Sequence, residues 1–224
     1  MTTAWRWRVG EAAVLAAAAI VKAVATAQLA AHPLLQPTGG LDSEWYVALA
    51  TRVAGGDWSL AAAFDHGAYP VSPLYVYVLA AILGVSGGSL LVVRIVQAGL
   101  GVVAVWLVMR TARGWFGDAA GLLAGGLVAA AGVLTFHEIV LLQSALDPVL
   151  MALVAWTLAA AVRGDADWRW WAGAGLAGAL EALNRPNALL MLAGIVAIAA
   201  GRALWQRQMC IRDRSCCSRR SIRC

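Results

Sequence analysis

The sequence predicts an all-α protein: a polytopic transmembrane helix bundle with a long first outer loop that carries two interfacial helices. Three observations predict it. Of 224 residues, 62% are hydrophobic and only 13% charged, with a mean hydropathy of +0.74, more apolar surface than one water-soluble core can hide. The apolar residues gather into stretches about as long as the roughly 20 residues a bilayer requires. The arginines also sort to one side when those stretches are taken alternately in and out.

The first span covers residues 11–31, with Lys22 as its only internal charge. Before it stands Trp5-Arg6-Trp7-Arg8, a basic and aromatic run of the kind found at a cytoplasmic interface. No small-residue cleavage signal follows, so the span is read as uncleaved. Five more spans are expected at 89–109, 119–136, 148–162, 170–183 and 188–200. Their inner connections carry Arg6, Arg8, Arg110, Arg113, Arg163, Arg169, Arg202 and Arg207, against Arg52, Arg94 and Arg185 outside.

Residues 32–88 then form the outer loop. Within it, Val71–Val85 is apolar but short; it begins in Pro70-Val71-Ser72-Pro73 and holds Tyr75 and Tyr77. Counting it as a span would turn the arginine-rich segments outward, so it is expected to lie in the outer interface. Ser43–Ala54 has apolar residues at helical spacing beside Glu44 and Arg52 and is expected to do the same. Gly121-Leu122-Leu123-Ala124-Gly125 presents a small-residue face of the sort that lets membrane helices approach closely.

The C-terminal end differs from the rest. All four cysteines lie between Cys210 and Cys224, and residues 209–224 carry +4 of the chain's +5 net charge. Basic balance therefore offers no argument for a nucleic-acid partner. Met209-Cys210-Ile211-Arg212-Asp213-Arg214 matches the translation of a sequencing adapter, ATG TGT ATA AGA GAC AG. Residues 206–224 are thus read as a non-native tail on an N-terminal catalytic module spanning 1–205. The other reading is a basic cytoplasmic tail; the cysteine spacing fits no zinc pattern.

Ionisable groups in or beside hydrocarbon are few, and each is a candidate. Asp42 with Glu44, after the first span, could accept a proton from an attacking hydroxyl or help hold a divalent cation, or could cap a helix. Asp147 before Pro148 has the form of an N-cap and first helical residue, yet falls on the same outer side as Asp42. His137-Glu138, between the third and fourth spans, could be a ligand or proton shuttle, with loop surface the favoured reading. Glu181 and Arg185 have i, i+4 spacing and could pair on a helix face, or Arg185 could hold a phosphate through its planar fork. Arg94 with Gln97 could snorkel to the interface or meet an anionic headgroup.

The order of segments resembles the N-terminal half of the polytopic glycosyltransferases of the C superfamily, the family 39-like group that includes protein mannosyltransferases. The pieces are Leu41-Asp42 with Tyr46; Gly56-Asp57-Trp58 leading to Ser72-Pro73-Leu74-Tyr75; Val93-Arg94 with Gln97; Trp115-Phe116-Gly117; Ala145-Leu146-Asp147-Pro148; and Leu183-Asn184-Arg185-Pro186-Asn187. The resemblance implies a transferase that moves a sugar from a polyprenyl-phosphate donor to a glycan, lipid or protein acceptor on the outer face. It places the catalytic carboxylate at Asp42 and a second acidic position at Asp147. It leaves Arg94 and Arg185 to meet the phosphate; Glu44, His137 and Glu138, read from the residues themselves, complete the set of candidate substrate contacts. No cofactor is implied beyond a possible divalent cation. Ser43 separates the two acids Asp42 and Glu44, unlike the paired acids of the eukaryotic-type enzymes. A transporter or flippase fragment is the alternative; it predicts internal symmetry, and the sequence has no internal repeat.

Overall fold

The computed structural model describes residues 3–38, 42–59, 72–163 and 167–220. Among the described residues it is helical, without strands: α1 (Thr3–Leu29), α2 (Asp42–Ala54), α3 (Pro73–Ser86), α4 (Leu90–Phe116), α5 (Asp118–Ala130), α6 (Gly132–Ile139), α7 (Asp147–Arg163), α8 (Trp168–Asn184) and α9 (Leu189–Arg220). Short 3-10 turns at Pro33–Leu35, Gln143–Ala145 and Pro186–Ala188 join them.

Local chemistry explains the boundaries. Ser89 caps α4 by accepting from the Val92 N–H at 3.4 Å, and Asp167 caps α8 by accepting from the Arg169 N–H at 3.0 Å, meeting donors that a helix start leaves unpaired. Gly117, at φ +89°, ends α4 and begins α5, a reversal that residues with a Cβ rarely make. α8 stops at Asn184 because Pro186 drives Arg185 into an extended conformation, φ −137° and ψ 114°.

Among the described residues, three helices are long and apolar enough to cross a bilayer: Trp5–Leu29, Leu90–Phe116 and Pro186–Trp205. A fourth crossing exists if α5 and α6 count as one broken span, bent by 55°. The stretch 119–136 is therefore not one straight helix. α7 and α8 have 17 residues each, about 25 Å at the helical rise, a little short of a hydrocarbon core of about 30 Å.

The helices pack with two distinct ends. At one end Trp7, 3% exposed, lies 4.1 Å under the Arg113 guanidinium, which also pairs with Asp118 at 2.7 Å. Arg110 meets Glu11 at 3.0 Å. Gly121 and Gly125 make the close approach here: a Cβ on Gly121 would come within 2.9 Å of the Trp7 ring, and one on Gly125 would overlap Met109. At the other end α2 and α3 pack against residues 141–150 around Tyr46, Leu49, Tyr75, Leu79 and Leu141.

Glu138 is a correction. Instead of lying on loop surface it is 2% exposed and ion-paired with Lys22, itself 1% exposed, across α6 and α1. The bend after Ala130 swings α6 inward, and Glu138 packs where Gly101 of α4 leaves room; a Cβ there would strike its carboxylate. A buried charge without its partner is costly, so Lys22→Met or Glu138→Leu alone should each destabilise the protein by about 3–5 kcal/mol. The double variant should recover most of that loss. Thermal unfolding in detergent measures both, and a double variant as unstable as the sum of the singles would refute the pairing.

Candidate functional site

The site forms where α7 begins and α8 ends. Asp147 is the first residue of α7, and its carboxylate is held from two sides. Asn184 donates to Oδ1 through Nδ2 at 2.7 Å, and Arg185 donates to Oδ2 through Nε. Asn184 is fully buried and joins three segments. Nδ2 also reaches the Gln143 carbonyl at 3.0 Å, while the Asn184 carbonyl accepts from Ser72 Oγ at 2.7 Å. Ser72 precedes α3, so the start of α3, the 3-10 turn before α7 and the end of α8 meet at one residue, through its side-chain amide and its main-chain carbonyl.

Tyr46 brings in α2. Its hydroxyl donates to Gln143 Oε1 and accepts from the Ser72 N–H at 3.4 Å, and its ring meets Tyr75 edge-on at 5.1 Å. Tyr75 accepts from Gln97 Nε2 at 2.8 Å, which links the cluster to α4. Asp42 stands one helical turn before Tyr46, at the start of α2, and is exposed. The i, i+4 spacing puts it on the same side of α2 as Tyr46. Glu44 is also exposed. A cavity of about 200 Å³ opens beside the cluster, lined in part by Ser72, Gln143, Asn184 and Pro186.

The two candidate arginines are placed differently. Arg94, 3% exposed, donates to three backbone carbonyls: Ala30 at 2.6 Å, Leu35 at 2.7 Å and Ile139 at 3.3 Å. Its guanidinium fastens the loop after α1 and the end of α6 to the start of α4. The Arg185 side chain is 42% exposed and that of Asp147 23%. With Nε on Asp147, the terminal nitrogens of Arg185 have no hydrogen-bond partner among the described residues.

The expected Glu181–Arg185 pair on one helix face does not form. Arg185 has left the helix, so the i, i+4 rule no longer governs it, and it crosses to α7. Glu181 is 3% exposed, and its Oε2 has no hydrogen-bond partner among the described residues. His137 is exposed, with its ring edge-on to Phe136 at 5.8 Å, away from the buried side that Glu138 shares with Lys22.

Asp57 is a solvated loop residue; the Ser59 hydroxyl at 2.8 Å and the Ser59 N–H hold its carboxyl below the usual range. Asp65 and His66 lie outside the described residues. Among the described residues no three His, Cys, Asp or Glu side chains group closely enough to hold a metal ion.

In the sequence Tyr46, Ser72 and Asn184 stood out only as parts of the family-like segments, with no chemical role, and Gln143 did not stand out at all. Gln143-Ser144 is a polar pair inside an otherwise apolar stretch, the one signal that could have singled out the turn.

A family model described as dolichyl-phosphate-mannose-protein mannosyltransferase matches residues 66–215. No curated protein and no solved structure matches the chain. The matched segment contains Ser72, Gln143, Asp147, Asn184 and Arg185, while Asp42 and Tyr46 precede it.

Replacing Asn184 with alanine strips a donor from Asp147 and from the Gln143 carbonyl. It should lower stability by about 1–3 kcal/mol, read as a fall in melting temperature in detergent, whereas Asn187→Ala, at an exposed position, should change it little.

Proposed function

Because the chain belongs to the dolichyl-phosphate-mannose-protein mannosyltransferase family of membrane glycosyltransferases, we propose that it transfers a sugar from a polyprenyl-phosphate-linked donor to an acceptor at the end of the bundle where α2, α7 and α8 meet. The observation that carries this reading is the Asp147–Arg185–Asn184 cluster beside a cavity within the matched segment. Supporting it, the Arg185 fork is anchored through Nε and leaves its two terminal nitrogens for an anion. That is the bidentate geometry which suits a phosphate.

In this reading Asp42 is the general base. The acceptor hydroxyl attacks the anomeric carbon, Asp42 takes its proton, and the bond from the anomeric carbon to the phosphate oxygen breaks. The lipid phosphate leaves with its added charge met by Arg185, and the anomeric centre inverts. Asp147 holds Arg185 in position and does not itself take a proton. Arg94 holds the loop after α1 instead of the phosphate.

The six-span arrangement, with this end of the bundle on the outer face, is the topology we assign. Its support is that Arg94, near the start of α4, bonds the Ala30 carbonyl at the end of α1, while Tyr75, in the first turn of α3, accepts from Gln97 one turn further along α4; on this reading α3 lies along the outer end and does not cross.

Asp42→Asn should lower transfer from a polyprenyl-phosphate sugar by about 10²–10⁴-fold with the melting temperature unchanged. Arg185→Lys keeps the charge but loses the fork, and should weaken donor use more than it weakens the fold. Near-normal turnover in Asp42→Asn would remove Asp42 from the mechanism.

For topology, the four tail cysteines are changed to serine and single cysteines placed at Ser86 or Ala112. The two should react with an impermeant thiol reagent from opposite faces. Labelling from the same face would mean that α3 crosses.

A further inference from the structure

A second feature lies on the flank of the bundle, apart from the Asp147 cluster. α1 and α4 leave between them an open groove of about 360 Å³. Its α1 wall is low because Ala19, Ala23 and Ala27 recur every four residues along one face. Along α4 the groove runs from Leu91 to Val102, about 16 Å at the helical rise. That is roughly half of a hydrocarbon core about 30 Å thick, the depth of a single leaflet.

The floor of this apolar groove holds two polar side chains, Lys22 and Thr26, 1% and 5% exposed. Thr26 Oγ1 has no hydrogen-bond partner among the described residues. The Lys22 ammonium donates to Glu138 Oε2 and to Thr135 Oγ1, the latter at 3.4 Å, which leaves one of its three N–H groups over. Glu138 neutralises the lysine, so what the floor offers is hydrogen-bond donors without net charge. An anionic phosphate would find no uncompensated cation there; a neutral carbonyl oxygen would find a hydroxyl and an N–H. Thr26 also lies one turn, about 6 Å, inside Ala30, where the α1 hydrogen-bond ladder ends. With α1 set across a bilayer so that its last turn meets the headgroups, that depth matches the zone in which glycerol esters lie.

We infer that the α1–α4 groove is a binding site for one acyl chain of a glycerophospholipid, whose ester carbonyl accepts a hydrogen bond from Thr26 beside Lys22. The site requires only that α1 and α4 sit in a bilayer, and it stands independently of the sugar-transfer reading.

The test uses the full chain in nanodiscs of phosphatidylethanolamine and phosphatidylglycerol with an equal amount of polyprenyl phosphate, extracted into mild detergent and weighed by native mass spectrometry. The wild-type chain should retain one phospholipid through delipidation. Thr26→Val should lower that retention at least fivefold, Thr26→Ser should keep it, and Ala23→Leu, which fills the groove, should abolish it. Melting temperatures measured on delipidated protein check folding, and Thr26→Val is near enough in shape to fold even if Ala23→Leu does not. Equal retention by wild type and Thr26→Val, or polyprenyl phosphate retained in place of the phospholipid and lost in the same variants, would overturn the assignment.

Discussion

Arg94 is the fastener on which the arrangement of this end of the bundle depends. A helix end leaves up to four carbonyls without an intrahelical partner, and at the edge of hydrocarbon each is costly unless met from within the protein. Arg94 meets three such groups at once, from Ala30, Leu35 and Ile139. Because it sits in the second turn of α4, those bonds tie the exit of α1 and the exit of α6 to the entry of α4. One turn further along, Gln97 engages Tyr75, and Tyr75 meets the ring of Tyr46. The path from Arg94 to the cluster thus passes through buried polar side chains whose geometry leaves little freedom.

Asn184 acts likewise on the other side. An amide side chain offers both donors and acceptors, and here it binds across α8, α7 and the turn before α7. Pro186 is the partner of this arrangement: by forcing Arg185 out of the helix it ends α8 at Asn184 and turns the arginine toward Asp147. Two neighbouring residues consequently hold both oxygens of one carboxylate.

The elements were readable from pattern because their causes are local. Pro73 and Gly87 bound α3, Ser89 opens α4, and the apolar spacing of Tyr46, Leu49, Ala50 and Val53 marks the buried face of α2. Asp147 with Pro148 announced the start of α7 in the same way. Partner choice could not be read so easily. Nothing near Glu138 in the chain points to Lys22, 116 residues away, and the break between α5 and α6 decides which side Glu138 faces. Nor does the spacing of Glu181 and Arg185 reveal that Pro186 removes the second from the helix that would have paired them.

Arg94 and Arg185 looked equivalent in the sequence, each an arginine at the outer end of a span, and what separates them is backbone conformation and burial. Arg94 is helical and enclosed, so its fork closes on carbonyls within reach. Arg185 is extended and half open, and meets its carboxylate through Nε alone. An ion pair of this kind has no net charge, yet it is not electrically featureless. The carboxylate lies on the Nε side of the guanidinium, so the face carrying the terminal nitrogens stays positive at short range. At hydrogen-bonding distance that orientation outweighs the cancellation of charge, and on the proposed reading it lets a neutral pair receive the phosphate of a departing lipid carrier.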